Sequence, residues 1–167
     1  MLARDLTAVQ NFLKQNKIAE NQITVTPVFV EQIYYNPDYQ GPREVTVRQS
    51  ITISSSDVDG ITQLAKNTGV LTQTGIFFSA DSPQYFYSKL ADLRVSLLSD
   101  AIKDAKARAE QIAKSSGQKV GSLKAASSGV VQVLSPNSVE VSDYGSYDTS
   151  SLDKEVMVSV RATFFVR

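Results

Sequence analysis

Carboxylates are the side chains of this sequence that could carry acid–base chemistry, because its 167 residues include no histidine and no cysteine. Thiol nucleophiles, disulfide frameworks, Ser-His-Asp triads and most transition-metal sites are therefore excluded. Two pairs come into question, Asp57 with Asp59 and Asp143 with Asp148. The first stands at a predicted helix start, where carboxylates favour the positive end of the helix dipole, and the second stands in a predicted loop. Nothing nearby would raise the pKa of an acid, so we predict no catalytic residue and no enzyme activity.

The sequence also offers no motif for a phosphate, a dinucleotide or a metal ion. It contains neither a Walker A loop nor a GxGxxG turn. The segment from Ser142 to Asp148 lacks the residue order and the closing glutamate of a calcium-binding EF-hand loop. We therefore expect no cofactor and no bound metal.

Tyrosines around a turn are the candidate partner-binding residues. Tyr34, Tyr35 and Tyr39 cluster about the turn-forming stretch 36–42. Exposed aromatic side chains are favoured anchors at interfaces, so this loop could dock a protein partner, a peptide or a glycan. Aromatic residues are also common in strands, and the loop could equally be a hairpin tip that packs on itself.

Charge is balanced over the chain and uneven along it. The 17 basic side chains equal the 17 acidic ones, so no overall field would attract nucleic acid. Basic residues predominate from 103 to 124 and acidic ones from 136 to 155, and the two regions could meet between subunits. A solvated helix face with the ion pairs Asp104–Arg108 and Glu110–Lys114, each contributing about 0.2–0.5 kcal/mol, is the interpretation we favour. The basic residues are Lys103, Lys106, Arg108, Lys114, Lys119 and Lys124, and the acidic ones are Glu140, Asp143, Asp148, Asp153 and Glu155, beside Lys154.

Hydrophobic periodicity predicts the elements of the first half. Apolar residues at helical spacing predict a helix over about 3–17, and β-branched residues predict two strands, about 23–35 and 44–54, that form a hairpin. Pro27 indicates a sheet edge or a bulge in the first of them. Ser56 is a plausible N-cap for a helix over about 57–68, which Gly69 would end in the left-handed conformation. A short strand over 74–80 follows.

The second half is dominated by one long predicted helix. Ser82 as N-cap, Pro83 at the first helical position and Gly117 as the stop predict a helix near residues 83–116. Extended segments follow at 119–123 and 130–134, then a loop over 136–151 and a terminal strand from Val156 that alternates apolar and polar residues. The order α-β-β-α-β-α-β-β predicts an α+β fold, a largely antiparallel mixed sheet with helices on one side.

Four segments in register resemble the SIMPL-domain family, first described as a domain of unknown function. The first segment is the Ala-rich helix that ends in glycine, DAIKDAKARAEQIAKSSGQKVGSL from Asp100. The other segments are LKQNKIAENQITVTP from Leu13, GIFFSADSP from Gly75 and LDKEVMVSVRATFFV from Leu152. The resemblance covers nearly the whole chain, so we expect a single SIMPL-type domain over 1–167, with two sub-lobes of about 1–80 and 81–167 as the alternative.

The resemblance implies a bacterial protein of the periplasm or cell envelope with no assigned catalytic residue. Some family members resemble ring-like or channel-like oligomers, others are linked to stress tolerance, and a eukaryotic namesake is an adaptor in kinase signalling. The implied function is therefore a non-enzymatic, exported protein that acts through self-association, as a homo-oligomer, and through an envelope protein partner. A periplasmic small-molecule or peptide binding module is the alternative.

The start of the chain departs from the family pattern. A strand ahead of the first helix would complete a split β-α-β-β-α-β unit, and an export segment would precede it. We expect both to have been removed upstream. No run of about 18 apolar residues occurs, so we predict no transmembrane segment.

Overall fold

The computed structural model describes residues 2–33, 38, 40–42, 44–139 and 142–167. The helices and strands together confirm the predicted α+β class. The helices are α1 (Leu2–Gln15), α2 (Val58–Asn67), α3 (Gly69–Gln73) and α4 (Leu90–Ser115), with a 3-10 turn at Glu20–Gln22. The strands are β1 (Ile23–Val25), β2 (Phe29–Gln32), β3 (Val45–Arg48), β4 (Ile51–Ile53), β5 (Val120–Leu134), β6 (Ser146–Tyr147) and β7 (Glu155–Val166). Contacts divide the chain into two compact units, Met1–Pro83 and Gln84–Arg167.

The N-terminal unit has a small core between its helices and one of its two strand pairs. The buried residues are Phe12, Leu13, Leu64, Leu71 and Ile76. Ile23 of β1 and Ile51 and Ile53 of β4 pack against this cluster. The apolar faces of the amphipathic helices and the β-branched residues of β1 and β4 therefore pack into the same core.

The predicted hairpin of this unit forms as two separate antiparallel pairs. Strand β1 pairs with β4, Ile23 opposite Ile53, and β2 pairs with β3, Phe29 opposite Arg48. Pro27 lies in the gap between the pairs, where its missing N–H disrupts no strand hydrogen bond. Thr26 bridges the gap through a 2.9 Å hydrogen bond that its N–H donates to the carbonyl of Ser50.

Three predicted details of this unit are wrong. The N-cap of α2 is Asp57, not Ser56, since its carboxylate accepts a 2.9 Å hydrogen bond from the Gly60 N–H. Gly69 begins α3 instead of ending α2, and Gly75 adopts the left-handed conformation at φ 78°. Residues 76–80 form no strand: Ile76 and Phe78 pack against the helical core, whereas Phe77 is 92% exposed, so side-chain packing and not strand pairing holds the segment.

The C-terminal unit is built on the long antiparallel pair of β5 and β7. The two predicted extended segments merge into the single strand β5, and β6 adds a short parallel pairing at Gln132 and Val133. Helix α4 packs against both long strands. The predicted alternation of β7 is confirmed, because the residues from Val156 to Phe164 alternate between half-buried and exposed, although Val166 is exposed.

The long helix ends where the sequence predicts and begins later. Gly117 has φ 73°, and the N–H groups of Gln118 and Gly117 donate to the carbonyls of Ala113 and Lys114 at 2.9 and 3.2 Å, the Schellman pattern. The predicted start at Pro83 is wrong, since α4 begins at Leu90. The segment before it is held instead by the loop after β6, where the Tyr85 N–H donates to the carbonyl of Thr149 at 2.8 Å.

Candidate functional site

The first predicted carboxylate pair has a structural task. Asp57 caps α2, and Asp59 lies in the first turn of the same helix, where a negative charge favours the helix dipole. Both residues are exposed. Their positions explain both carboxylates without any acid–base role.

The second pair is divided between two environments. Asp143 is exposed. Asp148 accepts hydrogen bonds from the N–H groups of Ser150 and Ser151, both at 3.1 Å, and from both hydroxyl groups. Chiefly the hydroxyl of Ser150, and then that of Ser151, hold the pKa of Asp148 far below its ordinary value. These four hydrogen bonds make the Asp148 carboxylate the anion around which the loop from Asp148 to Ser151 is organised.

The buried side chain of Lys154 holds the same loop together through hydrogen bonds to its backbone. Its side chain is only 7% exposed, and its ammonium donates to the carbonyls of Asp148 and Ser151 at 2.7 and 2.8 Å. The ammonium also lies 3.6 Å from the Asp148 carboxylate and 5.9 Å from the centre of the Tyr147 ring. A buried ammonium is tolerated when carbonyls and a carboxylate replace water, and this loop supplies both.

Tyr147 connects this loop to the segment before α4. Its hydroxyl accepts a 2.9 Å hydrogen bond from the Tyr87 N–H, and its ring lies 5.9 Å from that of Phe86. We name residues 85–87 and 146–154 the clasp. Sequence reasoning treats Lys154 only as one cation among acidic residues; the one signal for the clasp is Asp148 followed by Ser150 and Ser151, which is typical of Asx turns.

The candidate partner-binding residues Tyr34, Tyr35 and Tyr39 lie outside the described residues, as does Glu140. The strands that flank the tyrosine loop are described, and we name residues 28–33 and 45–48 the β2–β3 arm. All of its residues are exposed except the half-buried Thr46. Its large apolar side chains, Val28, Phe29, Val30, Ile33, Val45 and Val47, are 42–59% exposed.

Helix α4 carries the predicted basic surface, and its charges are partly paired. Arg108 contacts Asp104 at 2.8 Å, which confirms the first predicted ion pair. The second is wrong, because Glu110 contacts Lys106 at 3.8 Å, one turn before it, and not Lys114. All of these charged groups are well exposed, so each pair contributes little to stability.

A shallow depression lies at the C-terminal end of α4 and the start of β5. It encloses about 460 Å³ and is lined by Glu110, Lys114, Gly117, Gln118, Lys119 and Val120. Two lysines and one glutamate give it a polar, slightly basic wall. Within the described ranges, no group of three or more acidic residues is arranged to hold a metal ion.

Comparison with protein families settles the affiliation of the chain. Residues 1–164 match the family model described as SIMPL, a protein of unknown function (DUF541). The chain belongs to the SIMPL family. Searches of curated proteins and of solved structures gave no match. No α-helix in the described part of this SIMPL chain is both long enough and apolar enough to cross a bilayer.

Proposed function

We propose that this SIMPL-family chain is a non-enzymatic protein of the bacterial cell envelope that acts by self-association, and that the β2–β3 arm contributes to the contact. The apolar surface of the arm is the observation that carries the proposal. The register places the exposed Val30, Val45 and Val47 on one face of the pair and the exposed Phe29 on the other. Contiguous exposed apolar surface is typical of interaction sites, and a lone two-stranded hairpin is only marginally stable in water.

A second copy of the chain is the occupant that the charges of the arm favour. Arg48 forms an ion pair with Glu31 across the two strands, and its guanidinium lies 5.9 Å from the centre of the Phe29 ring. Because these two charges compensate each other, they do not select a strongly charged partner. An equally neutral, apolar surface is complementary, and another copy of the arm provides one.

The size of the arm limits what it can do alone. Its strands have four residues each. Strands of that length are roughly 14 Å long, so the paired strands present on the order of 150 Å² on each face. A stable interface usually buries about 800 Å² on each partner. Self-association therefore requires a further contact surface.

The absence of enzyme activity in this proposal is supported by the roles of the carboxylates. Asp57 is occupied as a helix cap, and the lowered pKa of Asp148 keeps it ionised. Neither residue is then suited to general acid catalysis near neutral pH.

Light scattering over a concentration series tests the proposal. We expect an oligomer whose dissociation constant rises at least threefold when Val30 and Val45 are both changed to threonine, which keeps the β-branched shape and removes apolar surface. Val166→Thr, an exposed valine at the end of β7, is the matched control and should leave the mass unchanged. A chain that remains monomeric at every concentration would contradict self-association.

The envelope location and a role in stress tolerance rest on what SIMPL membership implies. Fractionation of the native bacterium with an antibody against this chain tests the location, and we expect the protein outside the cytoplasmic fraction. Survival of a deletion strain under oxidative and envelope stress tests the role. A cytoplasmic protein, or a deletion strain with wild-type survival, would contradict the corresponding part of the proposal.

A small-molecule or peptide binding module is the second candidate, favoured by the depression at the end of α4. Its volume of about 460 Å³ is within the range of ligand sites, and Lys114 and Lys119 suit an anionic ligand. A thermal-shift screen of small carboxylates and acidic peptides tests it. Stabilisation that Lys119→Ala abolishes, and that Lys103→Ala preserves, would support this candidate over the first.

A further inference from the structure

Strand β5 has a long segment that is open to solvent on both faces. Every residue from Ser122 to Val130, nine in all, is exposed. On one side the strand pairs with β7, and on the other it meets β6 only at Gln132 and Val133 among the described strands. Along the exposed segment, the N–H and C=O groups directed away from β7 therefore have no strand partner in that sheet.

This edge has little charge and no proline to protect it, and its register shifts lie outside the stretch from Ala125 to Ser128. Natural edges are guarded by charged side chains, prolines or bulges. The segment from Ser122 to Val130 contains no proline and one charged residue, Lys124. Register shifts flank a regular stretch from Ala125 to Ser128, whose side chains are alanine and serine only. A regular stretch with small side chains can accept another strand without steric conflict.

We propose that two copies of this chain pair antiparallel through this edge of β5, about a two-fold axis that passes through the stretch from Ala125 to Ser128. This interface rests on the self-association proposed above and supplies contact surface that the arm lacks. In such a pairing one residue faces itself in the second copy. With Ser127 at the centre, Lys124 faces Val130 and Leu123 faces Val131.

The distribution of charge favours a second copy in this position. The one lysine of the segment faces its own counterpart only if the axis passes through Lys124 itself, outside the regular stretch. With the axis at any residue from Ala125 to Ser128, Lys124 lies opposite an uncharged residue, so like charges are not brought together. The regular stretch of four residues spans roughly 14 Å, long enough for a short antiparallel ladder.

The absence of cysteine makes a cross-linking scan a direct test. Single cysteines at each position from Ser122 to Ser128, and at Val130, are oxidised under mild conditions. Gly129 is omitted because a Cβ there would lie 2.4 Å from the Ser159 hydroxyl oxygen. At the two-fold axis, equivalent Cα atoms lie about 4.5–5.5 Å apart, within the usual range of a disulfide. One residue away they are displaced by about a further 7 Å along the strands.

We therefore expect a high yield of disulfide-linked dimer at one position from Ala125 to Ser128, and a sharply lower yield at the positions on both sides of it. Thr163→Cys on β7 is the matched control, because it is an exposed strand position outside this edge, and should give little dimer. A dimer yield that is uniform along the scan, or equal to the control, would overturn the interface.

A charge variant tests the same interface without oxidation. Ser127→Lys places two ammonium groups near the axis and should raise the dissociation constant at least tenfold, less at high salt. Thr163→Lys adds the same charge on β7 and should have no such effect. If the wild-type chain is oligomeric and both tests are negative, only this interface is overturned; if it is monomeric throughout, the proposed self-association is overturned as well.

Discussion

The two halves of the first hairpin share one sequence pattern and differ in what covers them. Val45, Val47, Ile51 and Ile53 all fall on the same alternating phase. Ile51 and Ile53 pack against the core of the N-terminal unit, whereas Val45 and Val47 are exposed. Alternation predicts that a strand has an apolar face, and only a neighbouring helix determines whether that face is buried. The same holds for β7, whose apolar face is half-buried where α4 contacts it.

The largest expected effect would confirm that contrast. Leu13→Ala and Leu64→Ala each remove a buried side chain beside β1 and β4, and should lower the free energy of unfolding by about 2–5 kcal/mol. Val47→Thr in the arm should lower it by less than about 0.5 kcal/mol in dilute protein. Urea denaturation measures all three. A loss at Val47 as large as that at Leu13 would mean that the arm is packed within the monomer.

Disruption of the clasp is expected to rank second. Lys154→Met removes a buried ammonium that donates to two carbonyls, and should cost about 2 kcal/mol, because hydrogen bonds to charged groups contribute more than neutral ones. Lys103→Met is the control, since its exposed ion pair with Asp100 contributes little. Equal urea midpoints for the two variants would contradict the anchoring role of Lys154.

Alanine substitutions at two glycines that each leave room for a Cβ should change stability by an intermediate amount, with opposite signs at the two positions. Gly117 has a left-handed backbone, so Gly117→Ala should cost about 1 kcal/mol. Gly69 begins a short helix without positive φ, so Gly69→Ala should stabilise by up to about 1 kcal/mol. Thermal melts of both variants distinguish them. Shifts of the same sign would mean that backbone conformation does not decide these sites.

The smallest expected effect is a loss of stability at acidic pH that depends on Asp148. Because the pKa of Asp148 is lowered in the folded chain, its stabilising contribution is complete above the unfolded pKa of about 4 and declines as the pH falls below that value. Asp148→Asn should remove this decline. Urea midpoints from pH 7 to pH 2 for both chains isolate the contribution, and parallel curves for the two would contradict it.

Local chemistry explains which features could be predicted. The Schellman end at Gly117 and the alternation of β7 depend on residues close in sequence, and both are present. The start of α4 does not follow from the local sequence, because Tyr85 donates its N–H to Thr149, more than sixty residues away in the chain. The structural role of Lys154 does not follow from the local sequence either, since its burial depends on how the loop closes against Tyr147.

The sequence by itself determined the α+β class, the SIMPL affiliation, the end of the long helix and the exclusion of histidine and cysteine chemistry. These follow from composition, periodicity and turn residues, which act over a few positions. Only the tertiary structure decided which apolar faces are buried and that β5 is one strand with an open edge. It also decided that Asp148 and Lys154 contact each other within the clasp. Burial and pairing join residues distant in the chain, so no local pattern specifies them.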